Sequence, residues 1–383
     1  MKNLILKFLS FLNLFVPKKN NKVIFVPFPN SESGSISVAN QLCRTLADKK
    51  VYFVIEDGGI DPSKLLHHDV NLVKRKRKLD FYFLFHLMTS KYVFFTHGLL
   101  LNNKSKNQIQ INLWHGLLYK NIVMLLGNPP IISDFVVGTS DLSKTMFSKA
   151  FGVKEEAVTL TGYPRNDYLF NTNLKENDIV EKLDLDYKPD RIILWMPTYR
   201  KSVIGDLRVD GVNADNPFCI NNFNIDKFNK ILVHHNSVCF VKPHPMAEKN
   251  ILGEQLTNII FIDDEWINNK NLTLYEFVSC TDILVSDVSS IMIDYILLDN
   301  PVICISEDFD EYRKSRGFYF HDIEDKIPSQ IIKNQYVFFD YLDKLLQTGI
   351  DPCENKRLKL KDEFFKYQDG NSTKRLIDLV FKN

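Results

Sequence analysis

Short apolar runs separated by longer amphipathic segments recur along the chain from residue 22 to residue 306. Each run has the length of one buried strand, and the intervening segments are long enough for helices. The runs read KVIFVPF, VYFVIED, KYVFFTH, IQINLWH, DFVVGTS and AVTLTGYP, then RIILWMP, SVCFVKP, IIFIDD, DILVSD and PVICIS. Continuous apolar strands that alternate with helices predict parallel sheets covered on both faces.

A polar, charged stretch from residue 171 to residue 191 separates the two series of runs and is predicted to be a linker. The pattern therefore predicts an α/β protein of two doubly wound, Rossmann-like domains facing a central cleft, over residues 21–175 and 185–350. C-terminal helices are predicted over residues 351–383, and the last, at residues 371–381, is a candidate to pack on the first domain. Ligands of such sheets lie beyond the carboxyl ends of the strands.

Residues 1–20 predict an amphipathic helix. One helical face carries Leu4, Ile5, Phe8, Leu9, Leu12 and Val16, and lysines surround it. The apolar stretch is too short to cross a bilayer, and no small-residue cleavage site of a signal peptide follows it. Two interpretations remain open: a helix lying in the membrane interface, or a helix packed on the protein's own surface.

Charge and cysteine usage narrow the class of protein. The 383 residues are 45% hydrophobic and 25% charged, which is typical of a globular protein, and the net charge of +1 argues against nucleic acid as a partner. The basic run at residues 74–78 is interpreted as a solvated loop, with an anionic membrane surface as the alternative. Six scattered cysteines without a C-x-x-C motif predict reduced core residues.

Polar side chains follow five of the predicted strands. The groups are His115, Tyr163-Pro164-Arg165, Pro197-Thr198-Tyr199-Arg200, Lys242-Pro243-His244-Pro245 and Asp287-Val288-Ser289-Ser290. Cations and hydroxyls gathered at one cleft suit a phosphorylated ligand, because the planar arginine fork matches phosphate oxygens. The dinucleotide motif G-x-G-x-x-G and the Walker motif are absent, and no cluster has metal-ligand spacing. We therefore expect neither a metal nor a cofactor.

Individual residues at these strand ends have two interpretations each. His115 is either a general base or a core residue with a satisfied ring. Ser289 or Ser290 is expected to cap the N-terminus of the following helix. The backbone N–H groups at that end of the helix either bind an anion or belong to a plain helix cap. Asp294 either accepts hydrogen bonds from ribose hydroxyls or is a solvent-exposed helix acid.

The segments NLWHGLLYK, GYPRNDYL, MPTYR, KPHP and SDVSSIMIDYILLDNPVI…EDFDEYRKSRGFYF occur in this order. Together they resemble the CDP-glycerol glycerophosphotransferase family of teichoic acid and capsule-type polymer synthesis, from about residue 90 to about residue 325. The resemblance implies a GT-B fold in which residues 21–175 form the acceptor-side domain and residues 185–350 bind the CDP-alditol donor. A polyprenyl-linked glycan or polymer acceptor is implied as well. It also implies a peripheral enzyme on the cytoplasmic face of the cell membrane.

The resemblance also assigns roles to residues. It implies that His115 and His244 are catalytic, with His115 as the base. Binding of CDP-glycerol is implied for Gly116, Lys120, Arg165, Pro197, Thr198, Arg200, Lys242, Pro243, Ser289, Ser290, Asp294 and Arg316. The chain departs from the family pattern at Leu117-Leu118, where Thr-Pro is usual, and at Lys242, where arginine is usual. These departures concern acceptor identity and donor affinity, respectively.

The expected reaction is transfer of glycerol phosphate from CDP-glycerol to an acceptor hydroxyl, with release of CMP. The length favours the addition of few units. Three alternatives stand beside it: a CDP-ribitol ribitolphosphotransferase, a GT-B sugar-nucleotide glycosyltransferase, and an inactive scaffold that docks other assembly enzymes at the membrane. A second copy of the chain is a further candidate partner.

Overall fold

The computed structural model of the protein describes residues 2–77, 79–101, 105–171, 176–198, 218, 220–243 and 256–382. Its first sheet has seven parallel strands in the order β3-β2-β1-β4-β5-β6-β7. They are β1 (Lys19–Val26), β2 (Lys50–Glu56), β3 (Asn71–Arg75), β4 (Ser90–Phe95), β5 (Ile109–Asn112), β6 (Phe135–Gly138) and β7 (Val158–Leu160).

The second sheet has six parallel strands in the order β10-β9-β8-β11-β12-β13. They are β8 (Arg191–Met196), β9 (Ser237–Val241), β10 (Ile259–Phe261), β11 (Ile283–Ser286), β12 (Val302–Ile305) and β13 (Ile331–Ile332). The strand order reverses between β1 and β4 in the first sheet and between β8 and β11 in the second. Each domain therefore has one topological switch point, where ligands of open α/β sheets bind.

Helices cover the sheets and extend the chain at both ends. They are α1 (Lys2–Asn13), α2 (Ser33–Thr45), α3 (Phe81–Thr89), α4 (Asp141–Phe151), α5 (Asp167–Phe170), α6 (Glu176–Lys182), α7 (Ile225–His234), α8 (Asp264–Asn269), α9 (Leu274–Val278), α10 (Ile291–Tyr295), α11 (Phe309–Arg316), α12 (Ile323–Lys326), α13 (Gln335–Thr348), α14 (Glu354–Phe364) and α15 (Ser372–Phe381). Helix α6 lies within the stretch predicted to be a linker. In the described ranges, none of these helices has the length and apolar character needed to cross a membrane.

The apolar runs form strands because both faces of each sheet are covered. All residues of β9, β11 and β12 are buried, which matches their uninterrupted apolar sequences. The sequence did not predict β3 or β13. The prediction of a solvated loop at residues 74–78 is wrong for Lys74 and Arg75, which lie in β3. Charged side chains are tolerated there because β3 is an edge strand.

Helix α1 is attached to the first domain by only part of its surface. Leu9 packs against a buried apolar cluster of that domain, and Asn13 is 1% exposed. In contrast, Leu4 is 73% exposed and Phe8 is 59% exposed, and Phe15, just beyond the helix, is 69% exposed. Packing on the protein's own surface therefore involves part of the helix, and a position in the membrane interface stays a prediction.

The two domains and the C-terminal helices share one interior. A single buried cluster runs from Phe25 in the first sheet to Leu284 in the second. Helix α15 returns to the first domain: Asp167 accepts hydrogen bonds from the backbone N–H groups of Ser372 at 2.8 Å and Thr373 at 2.7 Å. These bonds satisfy donors at the beginning of α15 that have no partner within the helix.

The described cysteines have free thiols, in agreement with the prediction of reduced residues. Three of them, Cys239, Cys280 and Cys304, are buried, whereas Cys43 and Cys353 are half-buried. Cys219 lies outside the described residues.

Candidate active site

His115 lies in a tight turn directly after β5. Trp114 and Gly116 on either side have φ angles of 51° and 155°, so the chain bends at this point. The turn leaves the imidazole exposed while its two neighbours are buried. The interpretation of His115 as a core residue is therefore wrong, and the interpretation as a base is compatible with the structure.

The environment of the His115 ring favours one tautomer. Its Nδ1 lies 3.1 Å from the carbonyl oxygen of Thr96, at the end of β4. A carbonyl oxygen only accepts hydrogen bonds, so Nδ1 carries the proton and Nε2 keeps a lone pair. The His97 ring stacks on His115 with 4.0 Å between centroids and an interplanar angle of 5°. Nε2 is thus the basic atom of a fixed ring.

Gly116 brings this turn into contact with the second domain. A Cβ atom at Gly116 would lie 2.3 Å from Ser290 Oγ and 2.9 Å from Ser290 Cβ. Because Gly116 also has a positive φ of 155°, both its backbone conformation and its surroundings require glycine. His115 therefore stands beside the residues that follow β11.

The serine cap predicted for the helix after β11 is not formed. Ser290 occupies the capping position of α10 but has φ −64° and ψ −19°, and its side chain makes no capping hydrogen bond. With these helical angles, its hydroxyl does not point back toward the following N–H groups. Helix α10 has five residues, so the contribution of its dipole is small. The Ser289 and Ser290 side chains are half-buried at the seam between the domains.

Asp287 orders the second switch point. Its carboxylate is fully buried and accepts a 2.8 Å hydrogen bond from the backbone N–H of Thr198, and another from the Thr198 hydroxyl. Pro197, directly before Thr198, is buried. Sequence reasoning quoted Asp287 but gave it no role. The signal was its place directly after β11, which Ser289 and Ser290 share.

Arg165 and Asp294 form a buried ion pair that joins the two domains. Arg165 Nη2 lies 2.8 Å from Asp294 Oδ2, and Arg165 Nε lies 3.1 Å from the same oxygen. Asn166 and the Tyr275 hydroxyl donate further hydrogen bonds to this carboxylate, at 3.2 Å and 2.5 Å. Asp294 is 1% exposed, so the interpretation as a solvent-exposed helix acid is wrong. The binding of ribose or phosphate by this pair stays a prediction.

The electrostatics of this pair keep the Arg165 guanidinium charged. Burial alone would lower the pKa of Arg165, but Asp294 outweighs it and raises that pKa above its usual value. Burial also raises the pKa of Tyr275 well above its usual value, so the phenol stays protonated and donates to Asp294. Removing one partner of a buried pair costs about 3–5 kcal/mol, because a charge is left unpaired.

Lys120 and Lys242 both contact other residues of the protein. Lys242 is 3% exposed and its Nζ lies 2.9 Å from Asp264 Oδ1, at the beginning of α8. Lys120 pairs with Phe318 in an antiparallel bridge, and its Nζ lies 5.0 Å from the centre of the Tyr312 ring. The predicted binding of CDP-glycerol by these lysines stays a prediction.

The remaining predicted residues differ in their burial, and some lie outside the described residues. Leu117 and Leu118, the departure beside the base, are buried at 4% and 3% exposure and therefore belong to the core. Pro243 is half-buried. Arg200, His244 and the Arg316 side chain lie outside the described residues. His97 was missed, although it ends a predicted strand in the same way as His115.

A group with metal-ligand character occurs away from these strand ends, in the loop before β3. Ligand atoms of His67, His68 and Asp69 all lie within 4.8 Å of one another. The side chains of His68 and Asp69 are 83% and 64% exposed. Adjacent exposed residues of this kind are common without a metal, and the expectation of no metal in the reaction stays a prediction.

Comparisons with known proteins identify relatives of this chain. It is 30% identical over 250 residues to the teichoic acid ribitol-phosphate polymerase TarK of Staphylococcus aureus, covering 64% of this chain and 44% of TarK. It is 26% identical over 391 residues to TarL, a ribitol-phosphate polymerase of the same organism, covering 95% of this chain and 63% of TarL. It is 26% identical over 305 residues to the S. aureus teichoic acid glycerol-phosphate transferase, and this match covers 73% of this chain and 72% of the transferase. The chain thus spans less than half of TarK and less than two thirds of TarL.

Solved structures share the fold. The wall teichoic acid polymerase TagF, in a structure soaked with CDPG, matches with a TM-score of 0.75 at 22% identity, covering 100% of this chain and 95% of that one. The S. aureus MnaA–UDP complex matches with a TM-score of 0.56 at 12% identity, covering 94% and 96%. These likenesses confirm the predicted GT-B-like pair of doubly wound domains. The sequence profile described as CDP-glycerol:poly(glycerophosphate) glycerophosphotransferase matches residues 8–382, so the chain belongs to that family.

Proposed function

We propose that the protein transfers glycerol phosphate from CDP-glycerol to a hydroxyl of a lipid-linked glycan or poly(glycerol phosphate) acceptor, with release of CMP. The observation that carries this proposal is the position of His115. Its exposed ring, oriented by the Thr96 carbonyl, lies one residue from the Gly116–Ser290 contact at the second switch point. Membership of the family supports the same reaction.

In the proposed reaction, the acceptor hydroxyl oxygen attacks the β-phosphorus of CDP-glycerol. The bond between that phosphorus and the bridging oxygen breaks, and CMP leaves with the electron pair. His115 Nε2 takes the proton of the hydroxyl, and the Thr96 carbonyl stabilises the resulting imidazolium through Nδ1–H. General base catalysis of this kind contributes about 10²–10⁴ in rate.

The donor lies at the second switch point in this proposal. The half-buried Ser289 and Ser290 offer hydroxyl donors to the pyrophosphate, beside Thr198, whose own hydroxyl donates to buried Asp287. Phosphoryl transfer depends mainly on positioning and charge stabilisation, which a cleft between two packed domains supplies. The charge of the pyrophosphate is neutralised by protein cations, without a metal ion.

CDP-ribitol is the second candidate donor. The names of TarK and TarL, both ribitol-phosphate polymerases, favour it. Glycerol and ribitol phosphates share the transferred phosphoryl group, so the same base and the same leaving group serve both donors. The two donors differ in the alditol attached to the transferred phosphorus, so the space around that alditol decides between them.

The proposal is tested by measuring nucleotide release. The purified protein is given an acceptor analogue, a short isoprenyl chain joined through a phosphodiester to glycerol, with CDP-glycerol, CDP-ribitol or UDP-sugars. We expect CMP release that requires the acceptor and is fastest with CDP-glycerol. Faster release from CDP-ribitol would assign the second candidate. UDP release without CMP release would contradict both and favour a sugar transferase.

We further propose that the protein acts as a peripheral enzyme on the cytoplasmic face of the membrane, attached through α1. The exposed Leu4, Phe8 and Phe15 form an apolar surface whose area contributes to membrane binding. Basic residues at β3 add attraction to anionic lipids. A Phe8→Ser/Phe15→Ser variant should lose binding to phosphatidylglycerol vesicles, whereas Tyr336→Ser, also at an exposed aromatic residue, should not. Equal binding by both variants would contradict this attachment.

A further inference from the structure

A cavity of about 1100 Å³ opens at the switch point of the first sheet. Its walls include Pro27 and Phe28, which follow β1, and His97 and Gly98, which follow β4. The strand order reverses between these two strands, and this is the position at which open α/β sheets bind ligands. The volume is that of a site for a sizeable small molecule.

Helix α1 forms one wall of this cavity. Leu6, Lys7 and Ser10 of α1 line it, opposite Phe83 of α3. On the outer side, α1 exposes Phe8, and α3 exposes Phe81 at 87%. The helix that carries the proposed membrane contact therefore also lines the cavity. A ligand with an apolar chain has apolar surface available on both sides of this wall.

Arg75 gives the cavity a charged recognition group. It ends β3, its side chain is 18% exposed, and its Nη1 lies 3.0 Å from Glu56 Oε1. The guanidinium also stacks on the Phe83 ring, 4.9 Å from its centre. These contacts fix the plane of the guanidinium. A guanidinium has five N–H donors, and one carboxylate uses at most two of them, so the fixed fork retains donors for an anion.

The cavity also borders the residue that stacks on the proposed base. His97 lines it, and the His97 ring stacks on the His115 ring at 4.0 Å between centroids. Phe28, on the same wall, contacts His97 edge-on with 5.0 Å between centroids. One ring contact, between His97 and His115, thus connects the cavity wall with the proposed base.

We propose that this cavity binds the acceptor of the transfer, recognised as an amphiphilic phosphate ester. Arg75 and Lys7 bind its phosphate, the walls from α1 and α3 contact its apolar chain, and its hydroxyl reaches His115. This inference rests on the proposed transfer and deepens it by assigning the acceptor site and its recognition residues. The same chemistry is found in the head groups of bulk anionic phospholipids, which the test below separates from the acceptor.

The test compares Arg75→Gln with Arg77→Gln. Both variants remove one positive charge from the same basic run, but Arg77 is exposed and does not line the cavity. With CDP-glycerol saturating, we expect Arg75→Gln to raise the KM for the acceptor analogue about 10- to 100-fold, the range of a lost charge-assisted hydrogen bond. The KM for CDP-glycerol stays unchanged, and Arg77→Gln changes neither constant.

A chemical control isolates the phosphate. An analogue with an uncharged ether in place of the phosphodiester should be used equally well by the wild type and Arg75→Gln. Lys7→Gln, at an exposed position of α1 outside the core, should raise the KM for the phosphodiester analogue without affecting folding. Unchanged acceptor KM values in both Arg75→Gln and Lys7→Gln would overturn the inference.

Two further outcomes separate this inference from other accounts. If Arg75→Gln binds phosphatidylglycerol vesicles more weakly than Arg77→Gln does, while its acceptor KM is unchanged, the cavity binds bulk lipid and the inference is overturned. If the wild type releases no CMP with any acceptor, the proposed function fails. In that case, fluorescence titration of the wild type and Arg75→Gln with the acceptor analogue still tests the site, since Trp114 contacts His115 at 4.1 Å.

Discussion

The two switch points of the molecule have the same topology and opposite chemistry. At the first, between β1 and β4, a large cavity is lined mainly by apolar side chains around Arg75. At the second, between β8 and β11, a fully buried carboxylate, Asp287, orders Thr198, and two serine hydroxyls lie beside it. One site suits a ligand with an apolar chain, and the other suits a polar, phosphorylated ligand.

In the proposed transfer, one architecture, used twice, separates two substrates. The sheet positions both sites in the same way, and the residues that line each switch point decide what the site binds. His115 stands where the two sites meet: its ring borders His97 of the first site, and its neighbour Gly116 touches Ser290 of the second. The following predictions test this division, beginning with the largest expected effect.

Replacing His115 by Gln should lower kcat for CMP release by about 10²–10⁴, because the general base is lost. The exposed side chain contributes little to packing, so the melting temperature should stay close to that of the wild type. Steady-state kinetics and thermal denaturation measure the two effects. His321→Gln, at a 94% exposed histidine of the second domain, is the control and should leave kcat unchanged. Equal rates for both variants would exclude His115 as the base.

Replacing Arg165 by Met should lower the free energy of unfolding by about 3–5 kcal/mol, because Asp294 is left as an unpaired buried charge. The double variant Arg165→Met/Asp294→Leu should lose less than Arg165→Met alone. Denaturant unfolding measures the three values. Lys333→Met, which removes an exposed ion pair with Asp310, should cost less than about 1 kcal/mol. A double variant less stable than Arg165→Met would contradict the account of an unpaired charge.

Replacing Gly116 by Ala should cost about 1–3 kcal/mol of stability and lower kcat, because the new methyl group meets Ser290 Oγ at 2.3 Å. Ser290→Gly removes both of the atoms concerned, so the double variant Gly116→Ala/Ser290→Gly should regain part of both losses. Thermal denaturation and CMP release report the two recoveries separately. If the double variant regains neither stability nor activity, both losses result from the backbone conformation at position 116 and not from the contact with Ser290.

Acidification should destabilise the first domain through His86. Burial, followed by Lys22 and Lys19, lowers the pKa of His86 to about 4. When the pH is lowered from about 7 to about 5.5, the unfolded chain takes up a proton at this histidine and the folded chain does not. The free energy of unfolding therefore decreases by about 1 kcal/mol over this range. Denaturant unfolding at the two pH values measures this change. The loss should be smaller in His86→Phe, and an equal loss would assign it to other groups.

The sequence predicted the parts of this arrangement that depend on local patterns. Uninterrupted apolar runs predicted the buried strands, and His115 was recognised because it ends such a run. Strand β3 was missed because Lys74 and Arg75 break the apolar pattern, which only an edge strand tolerates. For the same reason, the sequence did not indicate that Arg75 lines a cavity.

Contacts between distant segments were beyond the reach of local patterns. Arg165 and Asp294 are separated by 129 positions, and nothing near either residue indicates that the other neutralises it. The outward orientation of α1 was also undetermined, since an apolar face predicts burial equally well against protein or lipid. Both features depend on which surfaces meet after the two domains have packed together.

The most direct test of the central claim is the pH dependence of kcat for CMP release by the wild type and His115→Ala, with donor and acceptor saturating. If the lone pair of His115 Nε2 accepts the proton of the acceptor, kcat of the wild type should fall tenfold per pH unit on the acidic side of an imidazole titration. His115→Ala should be slow and lack this limb. The same acidic limb in His115→Ala, or a wild-type rate independent of pH, would contradict the account.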